Sequence, residues 1–179
     1  TDQMLALACA SHRAEPIHLE LLKKWFEITG LKESQLACGP HTPYSPSTAE
    51  NLIRQNQKPT RSHNNCSGKH LGFLTTSLFL KENLETYHEE AHPNQRRIRK
   101  VLSEVMRIDL EKSSWGIDGC GIPTFGIPMQ NIARGMSHLI DAKVATKRSE
   151  AMQKIISACI RYPEYTSGSD DWTALTMKE

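Results

Sequence analysis

The chain lacks several common signatures, and each absence narrows what it does. It has no Cys-x-x-Cys pair, so a standard zinc finger is excluded. No apolar run approaches the ~18 residues of a membrane-spanning helix. Neither sign of charge dominates: Lys and Arg total 22 against 20 Asp and Glu, a net charge of +2. No strong field for nucleic acid or a membrane surface is implied. The opening Thr1-Asp2-Gln3-Met4 has no basic region of the kind that starts a signal peptide. It also lacks an initiator Met, so the chain is expected to be a fragment or to have lost disordered ends. The cysteines are Cys9, Cys38, Cys66, Cys120 and Cys159. An odd number without a secretory signal argues against a disulfide framework and for a reducing cytoplasm. Repeats, low-complexity segments and a clear domain boundary are absent too.

What is present is a soluble globular composition, with 38% apolar residues and a mean hydropathy of −0.50. The 179 residues suffice for one good core and at most two small lobes. The chemistry is concentrated in Ser62-His63-Asn64-Asn65-Cys66-Ser67-Gly68-Lys69-His70. Asn65-Cys66-Ser67-Gly68 forms helix poorly and Leu71 onward forms it well, which predicts a tight loop feeding a helix N-terminus. Free N–H groups and the positive dipole end there lower the pKa of a thiol. Cys66 and Lys69 are spaced to share one face of the first turn. A second stretch, Trp115 to Pro123, sets Asp118 and Cys120 between glycines.

Around these motifs the pattern is mostly helical. Met4 to Ala10 reads as a short buried strand, with a helix the alternative by periodicity. Such a strand would deliver Ser11 and His12 to a cleft; the plainer reading is a Ser11 that caps the next helix. Pro16 opens a helix to about Thr29, with Gly30 as its stop. The loop from 31 to 46 is proline-broken. Its Cys38 and His41 suggest a metal pair, though a structural role is the plainer reading. Ser47 to Glu50 reads as a capping box for a helix from Thr48 to about Gln57. A long helix from Gly68 to Glu85 is apolar around much of its girth. Tyr87 to Pro93 reads as a polar turn rather than a ligand set. Pro93 starts a helix through Arg107, with Ile98, Val101, Leu102, Val105 and Met106 inward. Arg96, Arg97, Arg99 and Lys100 form its solvated outer face. Glu111 to Ile117 reads as a strand, Pro128 to Ile140 as a helix, and Ser149 to Arg161 as a last helix. That last helix turns Met152, Ile155, Ile156, Cys159 and Ile160 inward. The tail from Thr166 shows little pattern.

Four readings of the central stretch compete on residue chemistry. Cys66, Lys69 and Cys120 form a possible metal site, thiolates favouring soft or borderline ions such as zinc. Cys66 is a possible nucleophile, activated by the helix end and by His63 or His70. Ser67-Gly68-Lys69 has part of a phosphate loop, but His63 and His70 break that pattern. The last reading is a capped helix start with a buried free thiol.

Three blocks taken together resemble the signatures of the L-asparaginase II family, the rhizobial-type thermolabile group. They are Ala8-Cys9-Ala10-Ser11-His12, His63 through Phe73, and Ile117 through Phe125. Cys38-Gly39-Pro40-His41 and His92-Pro93-Asn94-Gln95 also resemble its pattern. The resemblance implies hydrolysis of L-asparagine to L-aspartate and ammonia. It implies one α+β, helix-rich domain over residues 1–179, similar to serine β-lactamases and penicillin-binding proteins and an incomplete portion of that fold. It implies Zn2+ held by Cys66, Lys69 and Cys120, with Ser11 and Asp118 catalytic and His12 and His70 at the substrate. A cytoplasmic homodimer is expected, without nucleic-acid or membrane partners. Two departures stand out. The family's Ser-x-x-Lys pair occurs nowhere in this chain, and Asp170-Asp171 stands where the family carries Gly-Arg. The alternatives are a cysteine amidase using Cys66 and a non-catalytic module that binds zinc or substrate.

Overall fold

The computed structural model describes residues 1–140 and 146–179. Among the described residues the chain forms helices α1 (Asp2–Ala8), α2 (Pro16–Thr29), α3 (Pro46–Arg54), α4 (Ser67–Phe79) and α5 (Pro93–Met106). Strands β1 (Trp115–Ile117) and β2 (Pro123–Phe125) follow, then α6 (Met129–Ile140), α7 (Lys147–Arg161), α8 (Pro163–Thr166) and α9 (Trp172–Lys178). The strands pair antiparallel, Ile117 opposite Pro123, as a two-stranded ribbon. A helix-rich α+β architecture is therefore what the structure has. No helix among the described residues is long and apolar enough to cross a membrane.

The expected strand at Met4–Ala10 is instead α1. Its Leu, Ala and Met residues are strong helix formers, and no β-branched residue favours an extended chain. Thr1 caps it by accepting from the Met4 N–H. This helix buries Met4, Ala6 and Leu7 and packs against both α4 and α7. The core gathers Leu7, Leu22, Leu36, Leu71, Leu74 and Tyr87, so it lies directly under the loop that starts α4.

Several boundaries move for local reasons. Ser45 rather than Ser47 caps α3, its side chain accepting from the Thr48 N–H at 3.4 Å, with Pro46 in the first turn. Helix α2 starts at Glu15–Pro16, where the Glu15 N–H donates to His18 Nδ1 at 3.0 Å, so Ser11 caps nothing. Helix α4 ends at Phe79, whose ring is 83% exposed, well short of Glu85. The expected strand over Glu111–Ile117 shortens to three residues. Helix α7 begins at Lys147 behind a Thr146 cap, and its Ile160 faces solvent. The tail carries α8 and α9.

Arg99 is the largest reversal on α5. It is buried, not solvated: it pairs with Glu90 at 2.6 Å and Glu111 at 3.1 Å, and its guanidinium lies over the Phe125 ring. Val101, expected inward, is exposed. Arg99 thus ties α5 to the ribbon and to the turn before the helix. In that turn His92 is buried and caps α5 by accepting the Asn94 N–H.

Candidate active site

The central loop is held from beneath by a buried asparagine. Asn64 donates from Nδ2 to the Gly39 carbonyl at 2.6 Å and accepts the Cys66 N–H on Oδ1 at 2.9 Å. These bonds fix the chain as it turns into α4, where Cys66 is the N-cap. Gly68, two residues on, lies so near α1 that an added Cβ would meet the Leu7 carbonyl oxygen at 2.5 Å. Only a residue without a side chain allows that approach.

Opposite the helix start stands the loop between β1 and β2. Asp118 shapes it: Oδ1 accepts the N–H of Cys120 at 2.8 Å and of Ile122 at 3.4 Å. Gly121 completes the turn at φ +89°, a conformation that favours glycine. The turn brings Cys120 beside Cys66. The neighbouring Cys120 thiol, aided by Lys69, draws the Cys66 thiol down to about 7 against the opposing effect of burial. The Cys66 thiol, with burial, pushes Cys120 up. Lys69 Nζ lies 3.8 Å from Asp118 Oδ2. Burial opposes a charge on Lys69, but the sulfurs of Cys66 and Cys120 and the Asp118 carboxylate outweigh it and push its pKa up. Beneath them His70 is fully buried, its Nδ1 2.6 Å from the Tyr87 hydroxyl. His70 Nε2 is buried without a hydrogen-bond partner, although its ring is close enough to Cys120 to stabilise the thiolate form.

Ser11 lies on the other side of the loop, exposed to solvent. Its backbone N–H donates to the Thr166 carbonyl at 3.3 Å, and its hydroxyl is 2.6 Å from the Asn65 side-chain amide. Asn65 and Cys66 are consecutive, so the serine and the thiols flank one dipeptide. Among the described residues the Ser11 hydroxyl bonds to no ionisable group.

His12 has no exposed surface, and both its ring nitrogens are engaged. The Ala14 N–H donates to Nδ1 at 3.0 Å. Nε2–H therefore donates to Ser67 Oγ at 2.8 Å, which passes its own hydrogen to the Ser62 carbonyl. Its ring stacks on buried His18 at 5.1 Å. Burial, and then the neighbouring His18, His41 and His63, lower the His12 pKa from 6.5 to about 3; burial also lowers that of His18. Below pH 6.5 the unfolded chain takes up these protons and the folded chain does not. Stability is therefore whole above pH 6.5 and falls as the pH drops towards 3. At ~1.4 kcal/mol per unit, His12 alone removes up to about 2.7 kcal/mol by pH 4.5. The thermal midpoint should fall by ~5–10 °C between pH 7 and 4.5, and less in His12→Gln. Equal slopes in the two proteins would exclude His12 as the cause.

The structure thus brings Cys66, Lys69, Asp118 and Cys120 together from two elements, with His70 underneath. It places Ser11 one residue away along the loop and His12 inside the protein. The Cys38 and His41 pair does not form a site: Cys38 is buried, its thiol pushed up to about 12 chiefly by burial, while His41 turns to Asn65. Among the described residues no group of three or more His, Cys, Asp or Glu side chains is placed to hold a metal ion. A groove of about 720 Å³ between α1, α2, α4 and α7 touches Lys69 but not Ser11, Cys66, Asp118 or Cys120, so it is not the reaction cleft.

The profile of the L-asparaginase II family matches residues 1–179. The chain belongs to that family. Membership points to an amidohydrolase acting on L-asparagine. A comparison with curated proteins finds no match. Sequence reading gave no role to Asn65, the side-chain partner of Ser11 in this L-asparaginase II member, and weighed His41, which bonds to Asn65, only as a metal ligand. Asn65 stands inside the motif, but no spacing rule ties it to a serine in another block.

Proposed function

We propose that this chain hydrolyses L-asparagine to L-aspartate and ammonia with Ser11 as the nucleophile and a zinc ion on Cys66, Lys69 and Cys120. The observation that carries the reading is the meeting of Cys66 and Lys69 on α4 with Asp118 and Cys120 on the ribbon loop. Two thiols in mutual contact, an amine beside them and an orphaned buried imidazole nitrogen form a donor set suited to a borderline cation. The fit has a requirement: Lys69 is held as the ammonium in the metal-free geometry, so binding must release its proton and that of Cys120. Once bound, the ion would supply Lewis-acid polarisation of a substrate oxygen.

The protein's own residues do the rest. Ser11 presents its hydroxyl to solvent at the mouth of the site, where an amide carbon can reach it. Asp118 braces the turn that carries Cys120 and pairs with Lys69. Tyr87 orients His70, and His12 locks the loop behind Ser11 rather than meeting substrate. The base for the Ser11 proton is not among its partners in this substrate-free geometry; catalytic hydrogen bonds tighten when substrate binds. A portion of a serine-β-lactamase-like fold, a homodimer and a cytoplasmic location belong to the same proposal. The helical body with an antiparallel ribbon at its edge is compatible with that fold.

Zinc content per chain tests the metal. About one equivalent is expected on the purified protein, and loss of most of it in Cys66→Ser. A chain without zinc, or a Cys66→Ser variant that keeps it, would overturn the metal assignment. One observation favours a second reading, a cysteine amidase: Cys66 sits at the helix start with a thiol drawn to about 7. Alkylation of Cys66 that abolishes ammonia release from the zinc-free protein would establish it.

A further inference from the structure

Two hydrogen bonds settle the protonation of His41. Its Nδ1 lies 2.7 Å from the Thr42 carbonyl, which only accepts, so Nδ1 carries a hydrogen. Its Nε2 receives the backbone N–H of Asn65 at 3.0 Å, so Nε2 carries a lone pair. The Asn65 side-chain amide approaches the same Nε2, also at 3.0 Å. An amide oxygen there would set lone pair against lone pair. The amide NH2 is the group suited to face His41, sharing the Nε2 lone pair with the backbone N–H, and a half-turn of the terminal amide then brings its oxygen to Ser11.

We infer that His41 fixes the Asn65 amide so that its oxygen accepts the Ser11 hydroxyl hydrogen, making His41 and Asn65 positioning residues for the nucleophile. The backbone of Asn65 is anchored independently, its carbonyl accepting the His12 N–H at 3.1 Å. Only the side-chain amide is free to choose, and His41 chooses for it. With its hydrogen held by Asn65, Ser11 Oγ turns its lone pairs to the cleft in one rotamer. The His41 ring is steadied by Tyr44, 5.0 Å away between centroids.

The catalytic half of this inference rests on the Ser11 reading, and the structural half does not. Long-range proton–nitrogen NMR on the unaltered full chain reads the His41 tautomer directly, with His41→Gln assigning the signal. A hydrogen on Nδ1 and none on Nε2 is expected. A hydrogen on Nε2 would overturn the inference whatever the enzyme does. In steady-state assays, Asn65→Ala should lower kcat at least tenfold with KM within twofold of the parent. His41→Ala should behave alike but more mildly. His41→Gln should restore most of the rate, because its side-chain oxygen accepts where Nε2 did. Parental kcat in a folded Asn65→Ala, with Ser11→Ala inactive, would overturn the positioning role alone. Activity surviving Ser11→Ala would instead remove the serine reading and leave the tautomer result standing. Should Asn65→Ala fail to fold, His41→Ala and its rescue by His41→Gln carry the test, and parental kcat in a folded His41→Ala would count against the role.

Discussion

Ser11→Ala is expected to abolish ammonia release from L-asparagine, with kcat falling on the order of 10⁴-fold or more while fold and metal content stay unchanged. Deleting the nucleophile of a serine hydrolase leaves only binding and oxyanion stabilisation, which explains the size of the loss. The structure lets the two halves of the site fail separately. Ser11 touches Asn65 and bonds to none of the side chains proposed to hold the metal, so removing one hydroxyl leaves those side chains in place. The measurement is ammonia release alongside zinc per chain, in parent and variant. Unchanged turnover would sink the serine assignment and move attention to Cys66. Lost turnover with lost zinc would mean the two halves are coupled through the loop.

The second large effect is structural. Gly68→Ala should lower stability by about 3 kcal/mol, the upper end of overpacking. For a chain of this size that is ~6–12 °C in the unfolding midpoint. The new methyl would meet Leu7 Cγ at 2.8 Å as well as the Leu7 carbonyl oxygen, and backbone cannot step aside as a flexible side-chain end can. The gain in helix propensity, ~1 kcal/mol, is too small to offset it. Gly72→Ala is the control on the same helix. Its Cβ would meet Ala8 Cβ at 3.3 Å and little else, so propensity and clash nearly cancel and the midpoint should move by no more than ~3 °C. A thermal melt of both variants checks the pair. Equal shifts would mean that α1 gives way at Leu7.

Local signals in the sequence were read well and tertiary ones poorly. Pro16 and Gly30 bound α2 as expected, because proline and glycine act on their own backbone. Met4–Ala10 was misread because a short apolar run has no clear period, and its buried setting comes from α4 and α7. Arg99 looked solvated because a helix face lined with arginines usually is. Its acidic partners and the Phe125 ring come from segments on both sides of the helix. The meeting of the His63–His70 block with the Ile117–Phe125 block came from family resemblance, not from spacing. Asn65 and His41 needed three dimensions, since a hydrogen bond 54 residues long leaves no periodic trace.

The ribbon that carries Asp118 and Cys120 is held from one side only: Cys120, Ile122 and Pro123 are buried, but its first strand is not. Every residue of β1 is exposed, with Trp115 at 50% and Ile117 at 60%. Cys66 and Lys69, by contrast, ride on a helix rooted in the core. A centre divided in this way can come apart without the molecule unfolding, because segments with little buried area open at a fraction of the global free energy. Amide hydrogens at 115–125 should exchange with solvent well before those of α4. Anything that bridges Cys66 and Cys120 spends part of its affinity on keeping the ribbon closed. Warming should therefore release such a ligand, and silence the enzyme, below the temperature at which the helical body melts.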